Sequence, residues 1–343
     1  MRGYLDQRQS LHEPVNALNY GAFHPCRENP KRIEALEAGA KAAGLKIISP
    51  EDAGIAPIAA IHQAEYLYFL QNIYTRWREI PGTSPQAVPN THPQRAVSSY
   101  PAGAVGQLGW HMYDASCPIG PESWNAAYWS AQSAIAAADD VLENGGGAYA
   151  LCRPPGHHAF ADQGGGFCFL ANSAIAAQRA REAGARVAIL DIDVHHGNGT
   201  QGIFWERGDV LTLSIHLDPD DFYPYFWGHS HERGGGAGEG ANLNLPLQRK
   251  ADDAAFLDAL DRAMAQIEMF GTEFLVIAAG LDAFIGDPFA ALGVTTEGFA
   301  RIGERIGKAG LDTVIVQEGG YLCPELGDNL TALLTGFRSG SGV

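Results

Sequence analysis

Along the chain, short runs of β-branched and small apolar residues each close on polar residues or glycine: 147–152 (GAYALC), 186–193 (RVAILDID), 209–216 (DVLTLSIH), 274–280 (FLVIAAG) and 312–317 (DTVIVQ). Near-continuous apolar runs of this length predict strands buried on both faces. Between them, 173–184 (SAIAAQRAREAG) and 253–270 (DAAFLDALDRAMAQIEMF) place apolar residues at helical spacing, and 30–44 and 64–79 predict two further helices. Alternating strand and helix predicts an α/β fold in which residues 1–343 form a single domain. Its core is one doubly wound, mostly parallel sheet with helices on both faces. In such sheets ligands gather beyond the carboxyl ends of the strands. Residues 80–103 (IPGTSPQAVPNTHPQRAVSSYPAG) interrupt the pattern as a long Pro-rich loop. Long loops in ordered proteins tend to serve binding or assembly.

Composition narrows the picture. A formal net charge of -16 disfavours nucleic acid, which needs Lys and Arg against its phosphates, and favours the approach of cationic ligands. No run approaches the roughly 18 apolar residues that span a bilayer, so no membrane association is expected. The start, MRGYLDQRQSLHEP, has no signal-like apolar stretch, which predicts a cytoplasmic protein. Cys26, Cys117, Cys152, Cys168 and Cys323 are scattered and odd in number, which signals neither disulfides nor a cysteine metal site.

Candidate chemistry collects at the strand ends. In AILDIDVHHGNG (188–199), Asp191, Asp193 and His195 share parity, so in an extended strand they project to one face. Carboxylates in so apolar a strand must be paired or hold a cation, and Asp with neutral His suits zinc. A lone histidine there would read as a satisfied core residue; the D-x-D-x-H alternation does not. Asp282, just past 274–281, is the candidate third ligand, leaving one position open for water. Asp287, before Pro288, is the other acidic option nearby, although taken alone it reads more as turn chemistry. After another strand, RPPGHHAF (153–160) displays His157 and His158, suited to general acid and base work or to further metal ligation. Asp191 could orient one of them. In QEGGYL (317–322), Tyr321 could donate to an oxyanion or simply pack.

RPPGHHA (153–159), GGGFCF (164–169), ILDIDVHHGNGTQ (189–201), GLDAFIGDP (280–288) and QEGGY (317–321), in this order, resemble the motifs of the histone deacetylase superfamily, most closely its bacterial acetylpolyamine amidohydrolases. The resemblance implies the arginase/deacetylase fold. It implies a zinc-dependent amidohydrolase acting on an acylated small amine, an acetylpolyamine or another acetylated small molecule. It implies zinc on Asp193, His195 and Asp282, and catalytic roles for His157, His158 and Tyr321. By the same resemblance Asp191 stands behind His157 and Asn198 behind His158. A structural potassium would sit at Asp191, Asp193, His195, Ser214 and Ile215, partly through backbone carbonyls. Phe167 and Tyr223 would be channel walls, Gly166 a backbone contact to substrate, and loop 80–103 part of a homodimer that narrows the channel mouth.

Where the polyamine enzymes carry glutamates toward the polyamine cation, this chain has Val105 and Ser116, with Asp114 a possible substitute. Phe289 follows GDP where a polyamine-selective relative has a gatekeeper glutamate. The expectation is an apolar rim giving polycationic substrates little advantage over neutral acetyl amides. Protein acetyl-lysine deacetylation or another carboxamide hydrolysis is the alternative activity. A binuclear manganese ureohydrolase needs a further aspartate where this stretch has asparagine. A noncatalytic sensor of acylated ligands would require the loss of a ligand, a histidine or Tyr321, and none is missing.

Overall fold

The computed structural model describes residues 1–342. The strands are β1 (Arg2–Tyr4), β2 (Asn16–Asn19), β3 (Ala22–Pro25), β4 (Lys46–Ile48), β5 (Gly147–Ala150), β6 (Val187–Asp191), β7 (Val210–Leu217), β8 (Asn242–Leu247), β9 (Phe274–Ala279) and β10 (Asp312–Gln317). The helices are α1 (Lys31–Ala42), α2 (Ala56–Ala59), α3 (Ala64–Arg78), α4 (Ala104–His111), α5 (Ser123–Asn144), α6 (Asn172–Glu182), α7 (Asn198–Phe204), α8 (Asp253–Phe270), α9 (Thr296–Gly307) and α10 (Leu326–Ser341). Eight strands form one sheet in the order β4-β1-β5-β10-β9-β6-β7-β8, and every pair in it is parallel. Strands β2 and β3 make a separate antiparallel hairpin.

Period-two alternation splits each central strand between two cores. Val187 and Ile189, with Val276 and Val316, pack on one face against α3, α5 and α6. Ala188 and Leu190, with Ile277 and Ile315, pack on the other against α1, α8, α9 and α10. This is the predicted doubly covered sheet, with no antiparallel pair among its eight strands. Local chemistry sets the helix ends. Asp252 accepts the Ala255 N–H at 3.1 Å to start α8, and Gly271, at φ 71°, ends it in the left-handed conformation. No helix among the described residues is long and apolar enough to cross a membrane.

All five predicted strands and all four predicted helices form. One reading is corrected: β6 stops at Asp191, so Asp193 and His195 do not sit on an extended strand. Asp191 Oδ1 accepts the Asp193 N–H at 3.0 Å and Asp193 Oδ1 accepts the His195 N–H at 2.9 Å. Carboxylates that capture backbone N–H two residues on bend the chain out of the strand. Loop 80–103 is likewise less free than its composition suggests. Ala87 is fully buried and exchanges two backbone hydrogen bonds with Ile119, Trp77 Nε1 donates to Ser84 O, and a short 3₁₀ turn forms at Arg95–Val97.

Candidate active site

The four central strands β5, β10, β9 and β6 are adjacent, and the loops leaving their carboxyl ends converge. The loop after β5 carries His157, His158, Gly166 and Phe167. The turn after β6 carries Asp193 and His195. The loop after β9 carries Asp282, Asp287 and Phe289, and that after β10 carries Glu318 and Tyr321. Residues up to 164 positions apart in sequence thus share one centre because parallel strands place all their carboxyl ends on one edge.

Asp193, His195 and Asp282 offer ligand atoms that all lie within 4.8 Å of one another, and all three residues are buried. His195 Nδ1 is 3.1 Å from Asp193 Oδ1 and 3.2 Å from Asp282 Oδ2. Asp282 Oδ2 is buried without a hydrogen-bond partner, a costly state for a carboxylate lacking a cation. Burial opposes charge on His195, yet the carboxylates of Asp193 and Asp282 facing its ring raise it to about 9, a sign that the cluster favours a cation. Glycine is required beside it: a β-carbon on Gly280 would fall 2.1 Å from Asp193 Oδ2, and one on Gly319 2.2 Å from Asp282 Oδ2. Two carboxylates and one imidazole, convergent and partly unsatisfied, fit zinc.

The tandem histidines are held differently. His157 Nδ1 is 2.8 Å from Asp191 Oδ2, whereas His158 Nδ1 is 2.7 Å from Asn198 Oδ1. Burial works against a charged His157, but Asp191 and Asp193 prevail and raise it to about 10. His158 is pushed well below the usual histidine range by burial and by its cationic neighbours His157 and His195. An amide oxygen only accepts, so His158 carries its proton on Nδ1 and leaves Nε2 free.

A cavity of about 760 Å³ opens onto His158, His195 and Tyr321, with Gly166, Phe167, Phe222, Tyr223 and Phe289 among its walls. Phe222 lies flat on His195, ring centroids 4.8 Å apart, and Phe289 meets His195 edge-on at 5.1 Å and Tyr321 at 4.9 Å. Phe167 adopts φ 69°, a left-handed conformation that costs a residue with a β-carbon and places its ring 5.9 Å from that of Tyr321. Burial, followed by the charge of Asp282, drives the Tyr321 phenol well above its ordinary range, so it keeps its proton.

Each residue singled out at the rim is accounted for. Asp114 Oδ2 accepts from Gly166 N at 2.9 Å and from Tyr223 OH at 2.7 Å, and its Oδ1 accepts from Ser116 N and Oγ. Asp114 therefore braces the channel wall, and Gly166 is left with its carbonyl, not its N–H, to offer a substrate. Ser116 lines the cavity; Val105, on α4, does not. Ser214 and Ile215 lie on β7 beside the end of β6, with Ser214 paired to Asp191. No residue of loop 80–103 lines the cavity.

The sequence reading missed several positions. Asp287 is more than a turn residue: its Oδ1 accepts Phe289 N–H and its Oδ2 accepts Tyr321 N–H at 2.9 Å, tying two loops together. Glu318, fully buried, accepts from Gly156 N, His157 N and Ser173 Oγ, so three of its roughly four acceptor positions already hold the histidine turn. Its place directly before Gly319 in the QEGGY motif was the available signal. Phe222 and Tyr113 carried none; Tyr113 OH lies 2.8 Å from Tyr223 OH.

Comparison with known proteins agrees with this geometry. The histone deacetylase domain model matches residues 24–337. The chain is 45% identical over 337 residues to the acetylpolyamine amidohydrolase of Burkholderia pseudomallei (strain 1710b) and 42% identical over 337 residues to acetylpolyamine amidohydrolase 2 of Pseudomonas aeruginosa, with 98% of each chain covered in both cases. The crystal structure of an acetylpolyamine aminohydrolase from Burkholderia pseudomallei, soaked in iodide, superimposes with a TM-score of 0.96 at 45% identity over 99% of both chains. A family match over most of the chain, with relatives alike from end to end, means that the chain belongs to the histone deacetylase family of deacetylases and amidohydrolases.

Proposed function

We propose that the protein is a zinc-dependent amidohydrolase that removes an acyl group, acetyl foremost, from a small acylated amine. The observation that carries this reading is that His158, Tyr321 and His195 all border one cavity. Asp193, His195 and Asp282 would hold the zinc, which would supply Lewis acidity toward the amide carbonyl and a lowered pKa for water.

The chain's own groups then divide the work. His158, neutral with Nε2 unprotonated, takes a proton from the attacking water and returns it to the leaving amine. His157, protonated against Asp191, keeps a positive charge beside the developing negative one. Tyr321 donates its O–H to the oxyanion, and its backbone is anchored by Asp287. Gly166, Phe167, Tyr223 and Phe289 enclose the acyl-bearing chain and exclude water.

A potassium ion at Asp191, Asp193, His195, Ser214 and Ile215 belongs to the same proposal. His216 Nε2 faces Gly228 O at 2.8 Å and must donate, and burial holds its ring neutral with a pKa lowered to about 4. Ser214 Oγ consequently donates to His216 Nδ1, which keeps its own lone pairs available to a cation. A cytoplasmic homodimer in which loop 80–103 narrows the partner's channel completes the reading. Light scattering tests it directly: a dimer in the wild type and a monomer after deletion of residues 84–98 support it, and a monomeric wild type removes it.

The activity itself is tested by stripping metal from the purified protein with a chelator and assaying a fluorogenic acetyl-lysine amide and small acetyl amides. Loss of turnover and its return with zinc is the expected result. Full turnover by metal-free protein overturns the reading.

A further inference from the structure

The cavity walls contain three formally charged side chains: Arg27, Arg249 and Asp114. Asp114 spends both oxygens on four hydrogen bonds within the wall. The two arginines are free. The arginine–carboxylate pairs among the described residues include neither Arg27 nor Arg249, and both are exposed at the mouth.

Both guanidinium groups are nonetheless held in place. Arg27 lies 4.7 Å over the ring of Phe289, and Arg249 lies 5.7 Å over the ring of Phe222. Those are the two rings that meet His195, one edge-on at 5.1 Å and one flat at 4.8 Å. Each arginine therefore stands one ring away from His195, on two segments far apart in sequence, and cation–π contact limits the freedom of each. Neither Asp220 and Asp221, the exposed acids just before Phe222, nor Asp252, three residues after Arg249, nor Glu34, seven after Arg27, is among the cavity walls.

In a chain of net charge -16, a channel mouth whose only unspent charges are two guanidinium groups is a local reversal of sign. We propose that this mouth selects acylated amines whose far end carries a carboxylate or similar anion, with Arg27 and Arg249 as the specificity-determining residues. The proposal rests on the amidohydrolase reading of the same cavity. A planar guanidinium matches a carboxylate in geometry as well as charge, while an ammonium at the same place meets two like charges and no unspent carboxylate. Because the anion is remote from the reacting amide, its contacts are the same before and during reaction. The selection is thus expressed mainly in KM.

The test uses the zinc-loaded full chain and three acetyl amides of matched length: ε-acetamidocaproate, N-pentylacetamide and N-acetylcadaverine. The expected kcat/KM for the carboxylate exceeds that for the neutral amide by about tenfold and that for the ammonium by more, chiefly through KM. In the double variant Arg27→Gln, Arg249→Gln the carboxylate-to-neutral ratio falls to near one, and Arg27→Lys retains part of it. A ratio measured within one variant does not depend on how much of that variant is folded. If N-acetylcadaverine is the best substrate, or if the ratio is unchanged by the double substitution, the inference is wrong while the amidohydrolase reading stands. If none of the three amides, nor the fluorogenic one, is hydrolysed, the reading fails and takes the inference with it.

Discussion

Asn198 Oδ1 stands 2.7 Å from His158 Nδ1 and thereby decides which nitrogen of that ring is free to act. The neighbouring His157 faces a carboxylate in the equivalent place, at 2.8 Å from Asp191. Burial and the charges of His157 and His195 push His158 below its ordinary range, while Asp191 and Asp193 overcome burial and raise His157 to about 10. Asn198→Asp gives His158 an anionic partner, which favours its protonated form. Since the base must be unprotonated, the acidic limb of the kcat/KM profile moves to higher pH, by roughly one to three pH units. A profile superimposable on the wild type removes His158 as the base.

Tyr321→Phe deletes one hydroxyl from a ring packed against Phe167 and Phe289. Zinc content and melting temperature should persist while kcat falls by on the order of 10²–10³, the usual loss of one preorganised oxyanion donor. Unchanged kcat returns Tyr321 to a packing role.

Asp287→Asn tests whether the phenol's position depends on its backbone anchor. The amide can accept from only one of the two N–H groups that the carboxylate now serves, Phe289 and Tyr321, and turns its NH₂ on the other. Steady-state kinetics should show kcat lower by about tenfold or more with zinc content intact, because small misplacements of a reacting group are costly. Wild-type kcat would mean the loop is fixed without Asp287.

His62 links stability to pH away from the reacting groups. Its Nε2 accepts the Ala171 N–H at 2.9 Å, and burial lowers its pKa to about 4 from an ordinary 6.5. As pH falls below 6.5 the unfolded chain binds this proton first, so the contribution present above pH 6.5 drains away toward pH 4, by about 2 kcal/mol near pH 5. His62→Gln keeps an acceptor for Ala171 and does not titrate. Denaturant melts of the two proteins should therefore differ less at pH 5 than at pH 7.5, with the variant losing less stability on acidification. Identical acid sensitivity would show that His62 is not a source of it.

How much was legible in the sequence follows from what each residue must do. Runs such as FLVIAA at Phe274–Ala279 are buried on both faces and so are continuously apolar, which makes β9 visible without a structure. The three-residue strands Arg2–Tyr4 and Lys46–Ile48, at or near one edge of the sheet, are too short to show a period. The helix Ser123–Asn144 has so much alanine, serine and buried surface around it that no single polar face announces it. Asp193, His195 and Asp282 were readable because carboxylates at the ends of apolar strands are anomalous. The first two do cluster with Asp282, but not along one strand face, since the backbone bends where an extended strand was expected. The roles of Asp287, Arg27 and Arg249 were not readable, being defined by partners far away in sequence, and for Glu318 the QEGGY motif marked the position but not what it holds.

The central claim is that Asp193, His195 and Asp282 form a single zinc site serving amide hydrolysis, and it is tested most directly by zinc stoichiometry in Asp282→Ala. The substitution removes the carboxylate whose Oδ2 is otherwise buried without a partner. Elemental analysis of the purified wild type should find about one zinc per chain, and the variant should hold much less and turn over no acetyl amide, as befits the loss of one of three protein ligands. Wild-type zinc content together with wild-type turnover in Asp282→Ala would contradict the account.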